Sequence, residues 1–190
     1  PALSYAIENE KKLFFLTPKK SQHVMAINVL KDIHDNHDLD FKVVDFVGKR
    51  NMCSNEQACY AGDFYEICSK MRKNQQCKNY ELAVGYNIKQ RQFAQKRIES
   101  VSKWYGCARS HDELKAYCEQ QQEFGLFGSP CPYYVSLELA KDANVIICDY
   151  NHLFAPGVSD TFLSKTGTAL HDSIIIVDEA HNMPKRLCDN

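Results

Sequence analysis

The chain has 190 residues, 44% of them hydrophobic and 25% charged, with 23 Lys and Arg against 24 Asp and Glu. This is the composition of a globular chain with one domain or two small ones. A net charge of −1 makes no global demand for nucleic acid, although a local basic face is compatible with it. No apolar stretch is long enough to span a membrane and the N-terminus has no signal-peptide pattern, so no membrane partner is expected and a reducing, cytoplasmic or nuclear location is.

Three regions follow one another. In the first, residues 1–47, Leu13-Phe14-Phe15-Leu16 reads as a buried strand that ends at Thr17-Pro18. Residues 19–34 read as a helix, with Val24, Ile27 and Leu30 at helical spacing and Met25 beside them. Asp35-Asn36-His37-Asp38 is a polar loop, and residues 41–47 are rich in β-formers and predict a second strand.

The middle region, residues 48–132, holds seven of the nine cysteines and is polar and poor in strand patterns. Residues 88–104 and 111–122 predict helices, yet the apolar content is thin, so this stretch reads as a small helical insertion that needs a staple. In the last region, residues 133–190, a helix is predicted over 135–140, a buried strand over 144–148, and a short helix at His152-Leu153-Phe154 followed by a turn at Ala155-Pro156-Gly157. Ile174-Ile175-Ile176-Val177 closes the series as a strand expected to be buried on both faces. Strands alternating with helices around an insertion predict an α/β fold with a parallel sheet.

The nine cysteines stand at 53, 59, 68, 77, 107, 118, 131, 148 and 188, with no CxxC pair. An odd number in a chain without a secretory signal argues against a pure disulfide framework and for metal or cluster ligation. Cys148 lies in an apolar strand and reads as a buried hydrophobe. Cys53, just past the second strand, and Cys131, between two prolines, bracket the insertion. Two further ligands would come from Cys59, Cys68, Cys77, Cys107 and Cys118, and four thiolates suit either Zn²⁺ or an iron–sulfur cluster.

The strand ending at Val177 runs straight into Asp178-Glu179-Ala180-His181. Acids at the carboxyl end of a parallel strand sit where α/β sheets bind ligands. One such acid can hold Mg²⁺ against nucleotide phosphates while its neighbour orients the attacking water. Lys49 and Arg50 can pair with phosphates, and Tyr133, Tyr134, Trp104 and Tyr105 offer faces for bases or for core packing.

These residues resemble the XPD-type iron–sulfur DNA helicases of superfamily 2, collinearly over nearly the whole chain. Leu16-Thr17-Pro18-Lys19-Lys20-Ser21-Gln22 is similar to motif Ia. Lys49-Arg50-Asn51-Met52-Cys53 resembles the basic lead-in to the first cluster cysteine, and Cys131-Pro132-Tyr133-Tyr134 resembles the last cluster cysteine with its aromatic tail. Asp149-Tyr150-Asn151-His152-Leu153-Phe154 resembles the segment before motif II, and Val177-Asp178-Glu179-Ala180-His181-Asn182 resembles the DEAH form of motif II itself.

The resemblance implies a partial RecA-like parallel sheet (residues 1–47 and 133–190) interrupted by a small, mainly helical iron–sulfur domain (48–132). It implies one [4Fe–4S] cluster on Cys53, Cys68, Cys77 and Cys131, with Cys59 as the alternative to Cys68, and Cys107 and Cys118 as extra thiols. By the same resemblance Asp178 would bind Mg²⁺ for ATP, Glu179 would position water, and His181 would link the nucleotide site to the motor. Thr17, Lys19, Gln22, Lys49, Arg50 and Tyr133 would contact DNA.

The implied activity is ATP-dependent 5′-to-3′ translocation and unwinding in nucleotide excision repair. The implied partners are single-stranded and forked DNA and a repair complex, with a monomeric enzyme. A Gly-rich P-loop is not among these residues, so the chain is expected to be a fragment that does not turn over ATP alone. Two other classes are a zinc- or cluster-stapled nucleic-acid-binding module without a motor, and an electron-carrying redox protein.

Overall fold

The computed structural model describes residues 1–37, 39–120 and 128–188. Asp38 of the expected loop and Gln121 and Gln122 of the expected helix lie outside them. The described chain forms two compact units, one made of residues 1–46, 106–110 and 137–190, the other of 47–105 and 111–136.

The first unit is built on a five-stranded, wholly parallel sheet: β1 (Lys12–Leu16), β2 (Val43–Asp45), β3 (Ala108–Arg109), β4 (Val145–Cys148) and β5 (Ser173–Val177), in the order β3-β2-β4-β1-β5. This is the α/β fold expected, and it is consistent with a RecA-like sheet. β4 is central and all four of its residues are buried, as a continuous Val-Ile-Ile-Cys run requires. The core gathers Leu13, Ile27, Phe41, Val43, Val145 and Ile147, with Ala6 from a helix Ala2–Glu8 that the sequence does not announce.

Three features depart from expectation. The Ile-rich strand β5 is half-buried throughout rather than buried on both faces, because it pairs only with β1 at one end of the described strand order. A helix covers Lys20–His37, running through the expected polar loop. Nothing in Asp35-Asn36-His37 forbids helical dihedrals, and Asn36 Nδ2 donates to the Asp32 carbonyl at 2.8 Å within the last turn. Finally, the chain returns to the sheet at β3, inside the stretch read as insertion. Gly106, at φ 63°, follows helix Ile88–Tyr105, and the Val43 N–H then donates to the Cys107 carbonyl at 2.7 Å.

The second unit is helical, with helices Lys49–Met52, Glu56–Cys59, Phe64–Lys73, Lys78–Ala83, Ile88–Tyr105 and His111–Gln120. Asn55 and Asp63 cap two of these, accepting from the Ala58 and Glu66 N–H groups at 3.0 Å each. Helix Pro132–Lys141 begins in this unit. Among the described residues no helix is long and apolar enough to cross a membrane.

Candidate functional sites

In the sheet unit the parallel pairing of β1 with β5 decides what meets what. Leu16 stands opposite Val177, and the Asp178 N–H donates to the Leu16 carbonyl at 2.8 Å. The segments after the two strands, 17–22 and 178–182, therefore leave the sheet side by side.

Glu179 adopts a left-handed conformation at φ 48°, unusual for a residue with a Cβ and the kind of outlier that concentrates at functional loops. Its carboxylate is held from two sides: Gln22 Nε2 donates to Oε1 at 3.2 Å, and Asn182 Nδ2 donates to Oε2 at 2.9 Å. His181 Nε2 lies 3.9 Å from Glu179 Oε2, with the imidazole largely in solvent. The Tyr150 hydroxyl, on a fully buried ring at the end of β4, bonds the Asp178 carbonyl and donates to the Glu179 carbonyl at 3.1 Å. Asp178 and Gln22 are the polar side chains lining an otherwise apolar cavity of about 450 Å³.

Thr17 is fully buried. Its hydroxyl donates at 3.0 Å to the Lys19 carbonyl, lies 3.1 Å from Gln22 Oε1, and accepts from the Lys19 N–H at 3.3 Å. Thr17 thus shapes the loop, whereas the Lys19 side chain is exposed. The structure brings Thr17, Gln22, Glu179 and His181 into one constellation. Asp178 is half-buried and Glu179 exposed, so both can reach a ligand.

Sequence reasoning missed two elements here. One is the bonding of Tyr150, a residue that the sequence placed just past a strand end and within the segment before motif II but gave no contact to the acids. The other is a buried polar contact, His23 Nδ1 to Asp45 Oδ1 at 2.5 Å, both side chains almost wholly inaccessible. His152, which the sequence left without a role, packs its ring against Phe46 and Phe162, with centroids 5.1 and 5.3 Å away. Burial holds its pKa below the usual histidine value, against the pull of the Asp149 carbonyl 3.3 Å from Nδ1.

In the helical unit, Cys53 ends helix Lys49–Met52, Cys68 lies within Phe64–Lys73, and Cys77 and Cys131 each stand just before a helix, where backbone N–H groups favour an anion. The Cys131 N–H donates to the Asn79 carbonyl at 2.8 Å, and Asn79 Nδ2 returns a bond to the Ser129 carbonyl at 2.8 Å, fastening residues 129–131 to the 77–80 turn. Tyr86 closes the other side, its hydroxyl donating to the Cys77 carbonyl at 3.2 Å.

The thiols interact electrostatically: Cys131 with Cys77 and Cys68, Cys77 with Cys68, and Cys53 with Cys131. Cys59 pairs with Cys53, its Sγ 3.5 Å from the Cys53 carbonyl. Cys118 is fully buried beside Cys131. Cys107 belongs to the sheet unit and Cys148 is buried in β4. Burial, reinforced by neighbouring thiols, pushes Cys131 up to about 12 and raises Cys53 and Cys77. Bare thiols in such a place are neutral at pH 7, and a bound cationic centre reverses that preference. The donor set therefore fits a thiolate-held metal group.

The aromatics divide. The Lys49 ammonium lies 4.8 Å from the Tyr133 ring centroid and 5.3 Å from that of Tyr134. Arg50 is exposed. Trp104 lies flat on Tyr117, with centroids 3.7 Å apart and planes 10° from parallel, which is packing within the unit.

Residues 15–190 match the DEAD_2 family. The chain is 32% identical over 139 residues to a protein of Oryza sativa subsp. japonica named regulator of telomere elongation helicase 1 homolog, covering 72% of this chain and 12% of that protein. It is 47% identical over 100 residues to the ATP-dependent DNA helicase CHL1 of Eremothecium gossypii, covering 45% of this chain and 12% of the relative. Against the general transcription and DNA repair factor IIH helicase subunit XPD/RAD3 of Saccharomyces cerevisiae it is 23% identical over 186 residues, covering 91% of this chain and 22% of the relative.

His152 gives the sheet unit a pH dependence of known sign. Its folded pKa lies below the ordinary 6.5, so its contribution is complete above 6.5 and is lost as pH falls through 6.5 toward the folded value. Urea midpoints taken from pH 7.5 to pH 5 should fall less steeply for His152→Gln than for the native chain. Parallel curves would show that the ring titrates as if in water.

Proposed function

From the chain's membership of the DEAD_2 family, the XPD-type helicases of superfamily 2, we propose that it forms part of the first motor domain and the cluster domain of an ATP-dependent DNA helicase. The observation that carries this reading is the junction of the two strand ends: Gln22, in the segment proposed to grip DNA, donates to Glu179, in the segment proposed to work on ATP. In this reading Asp178 would hold the Mg²⁺ that accompanies ATP, Glu179 would position the hydrolytic water, and His181 would link the acids to the rest of the motor. Thr17 and Gln22 shape the DNA-facing loop and Lys19 meets the strand. Tracking is 5′-to-3′ on single-stranded DNA. The name of the yeast relative, a helicase subunit of a general transcription and DNA repair factor, supports a repair complex as partner. Nucleotide excision repair as the pathway and the nucleus as the location belong to the same proposal.

In the helical unit the proposed ligands of a [4Fe–4S] cluster are Cys53, Cys68, Cys77 and Cys131. Cys68 is favoured over Cys59 because it interacts with both Cys77 and Cys131, whereas Cys59 neighbours Cys53. Bound there, the cluster supplies a covalent tie between segments distant in sequence. Lys49, Arg50 and Tyr133 form the strand-separating face.

In the full-length enzyme, Glu179→Gln should lower ATP turnover by about a hundredfold to ten-thousandfold while single-stranded DNA binding persists. Near-normal hydrolysis would defeat the assignment. Lys49→Ala should depress duplex unwinding more than ATP hydrolysis, measured on a forked substrate. Equal loss of both would remove Lys49 from strand separation.

A further inference from the structure

One charged side chain in the helical unit is anchored more firmly than surface chemistry requires. Arg72 lies four residues after Cys68 on helix Phe64–Lys73, a spacing that puts both on one face. Its Nε donates to the Cys68 carbonyl at 3.2 Å and its Nη1 donates to the Tyr134 hydroxyl at 2.8 Å. The guanidinium carbon lies 5.7 Å from the Tyr80 ring centroid and 5.8 Å from that of Tyr134, so aromatic faces hold the plane as well. The side chain is half-buried. Its charge also acts on the Cys68 and Cys77 side chains.

This anchoring places a permanent charge beside two of the four proposed cluster ligands. An arginine cannot lose its proton in a protein, so the charge is present at every working pH. Lys49, by contrast, sets its ammonium over Tyr133 and Tyr134 at the end of a flexible stem.

We propose that Arg72 is a positioning residue of the cluster site: fixed against Cys68 by Tyr134 and Tyr80, it raises the reduction potential of the thiolate-held cluster and slows its loss. The proposal rests on the four-cysteine reading. The physical ground is that reduction adds one electron to a group already negative, with no bond made or broken. A nearby fixed cation therefore stabilises the reduced form more than the oxidised form. Net charge and hydrogen bonds to the sulfurs are the levers that set such potentials.

The test uses the intact chain purified without air as wild type, Arg72→Gln and Arg72→Lys. Iron per chain is measured, then the midpoint potential at an electrode that supplies the electron. The wild type should hold about four irons. Arg72→Gln should titrate at a more negative potential, and Arg72→Lys should return toward the wild-type value. An Arg72→Gln potential equal to wild type, or an Arg72→Lys potential as low as that of Arg72→Gln, overturns the proposal. If Arg72→Gln cannot keep its iron, the rate at which a chelator strips iron decides: slow loss from Arg72→Lys supports the role of charge, and loss as fast as from Arg72→Gln overturns it. A wild type without iron would overturn the cluster reading itself and this proposal with it.

Discussion

The parallel register of β1 against β5 governs the chemistry of the sheet unit. Five consecutive pairs, Lys12 with Ser173 through Leu16 with Val177, leave both strands ending at the same level. Parallel strands cannot be joined by a hairpin, so two segments more than 150 residues apart in sequence emerge together at one edge of the sheet. Slipping the register by one residue would turn Asp178 to the opposite face and separate Gln22 from Glu179. The buried Tyr150 hydroxyl reinforces the same junction from β4, which neighbours β1 on its other side.

The helical unit works under a different constraint. Several of its helices are short, and its side chains include a set of half-buried and buried thiols that repel one another once ionised. Left bare, such thiols would weaken the unit. Holding a metal group, they would join Cys53, Cys68, Cys77 and Cys131 across the turns that carry them. Arg72 has a natural place in that scheme, since a concentration of thiolate charge is most stable beside a fixed cation.

Much of this was legible in the sequence, and the parts that were not have physical reasons. The strands of the sheet could be read because uninterrupted apolar runs such as Val145-Ile146-Ile147-Cys148 have few other uses. The same signal misjudged β5, since an apolar run does not tell a central strand from one with a single neighbour. β3 was invisible because two residues carry no period. The acids at 178 and 179 were legible from their place after a strand. Gln22 was legible as a motif residue, but its bond to Glu179 was not, because it depends on which strands become neighbours. Arg72 left no pattern at all: its place follows from helix spacing combined with the folding back of residues 129–134 onto the 77–80 turn.

On the proposed reading, the acids at the β5 end and the thiols of the helical unit belong to one kind of machine, a cluster-bearing helicase, rather than to a zinc-stapled binding module. The most direct test is the metal content and absorbance of the chain purified without air. A cluster-bearing chain is yellow-brown, with about four irons, broad visible absorbance and no stoichiometric zinc. A colourless protein with one zinc per chain would contradict that reading.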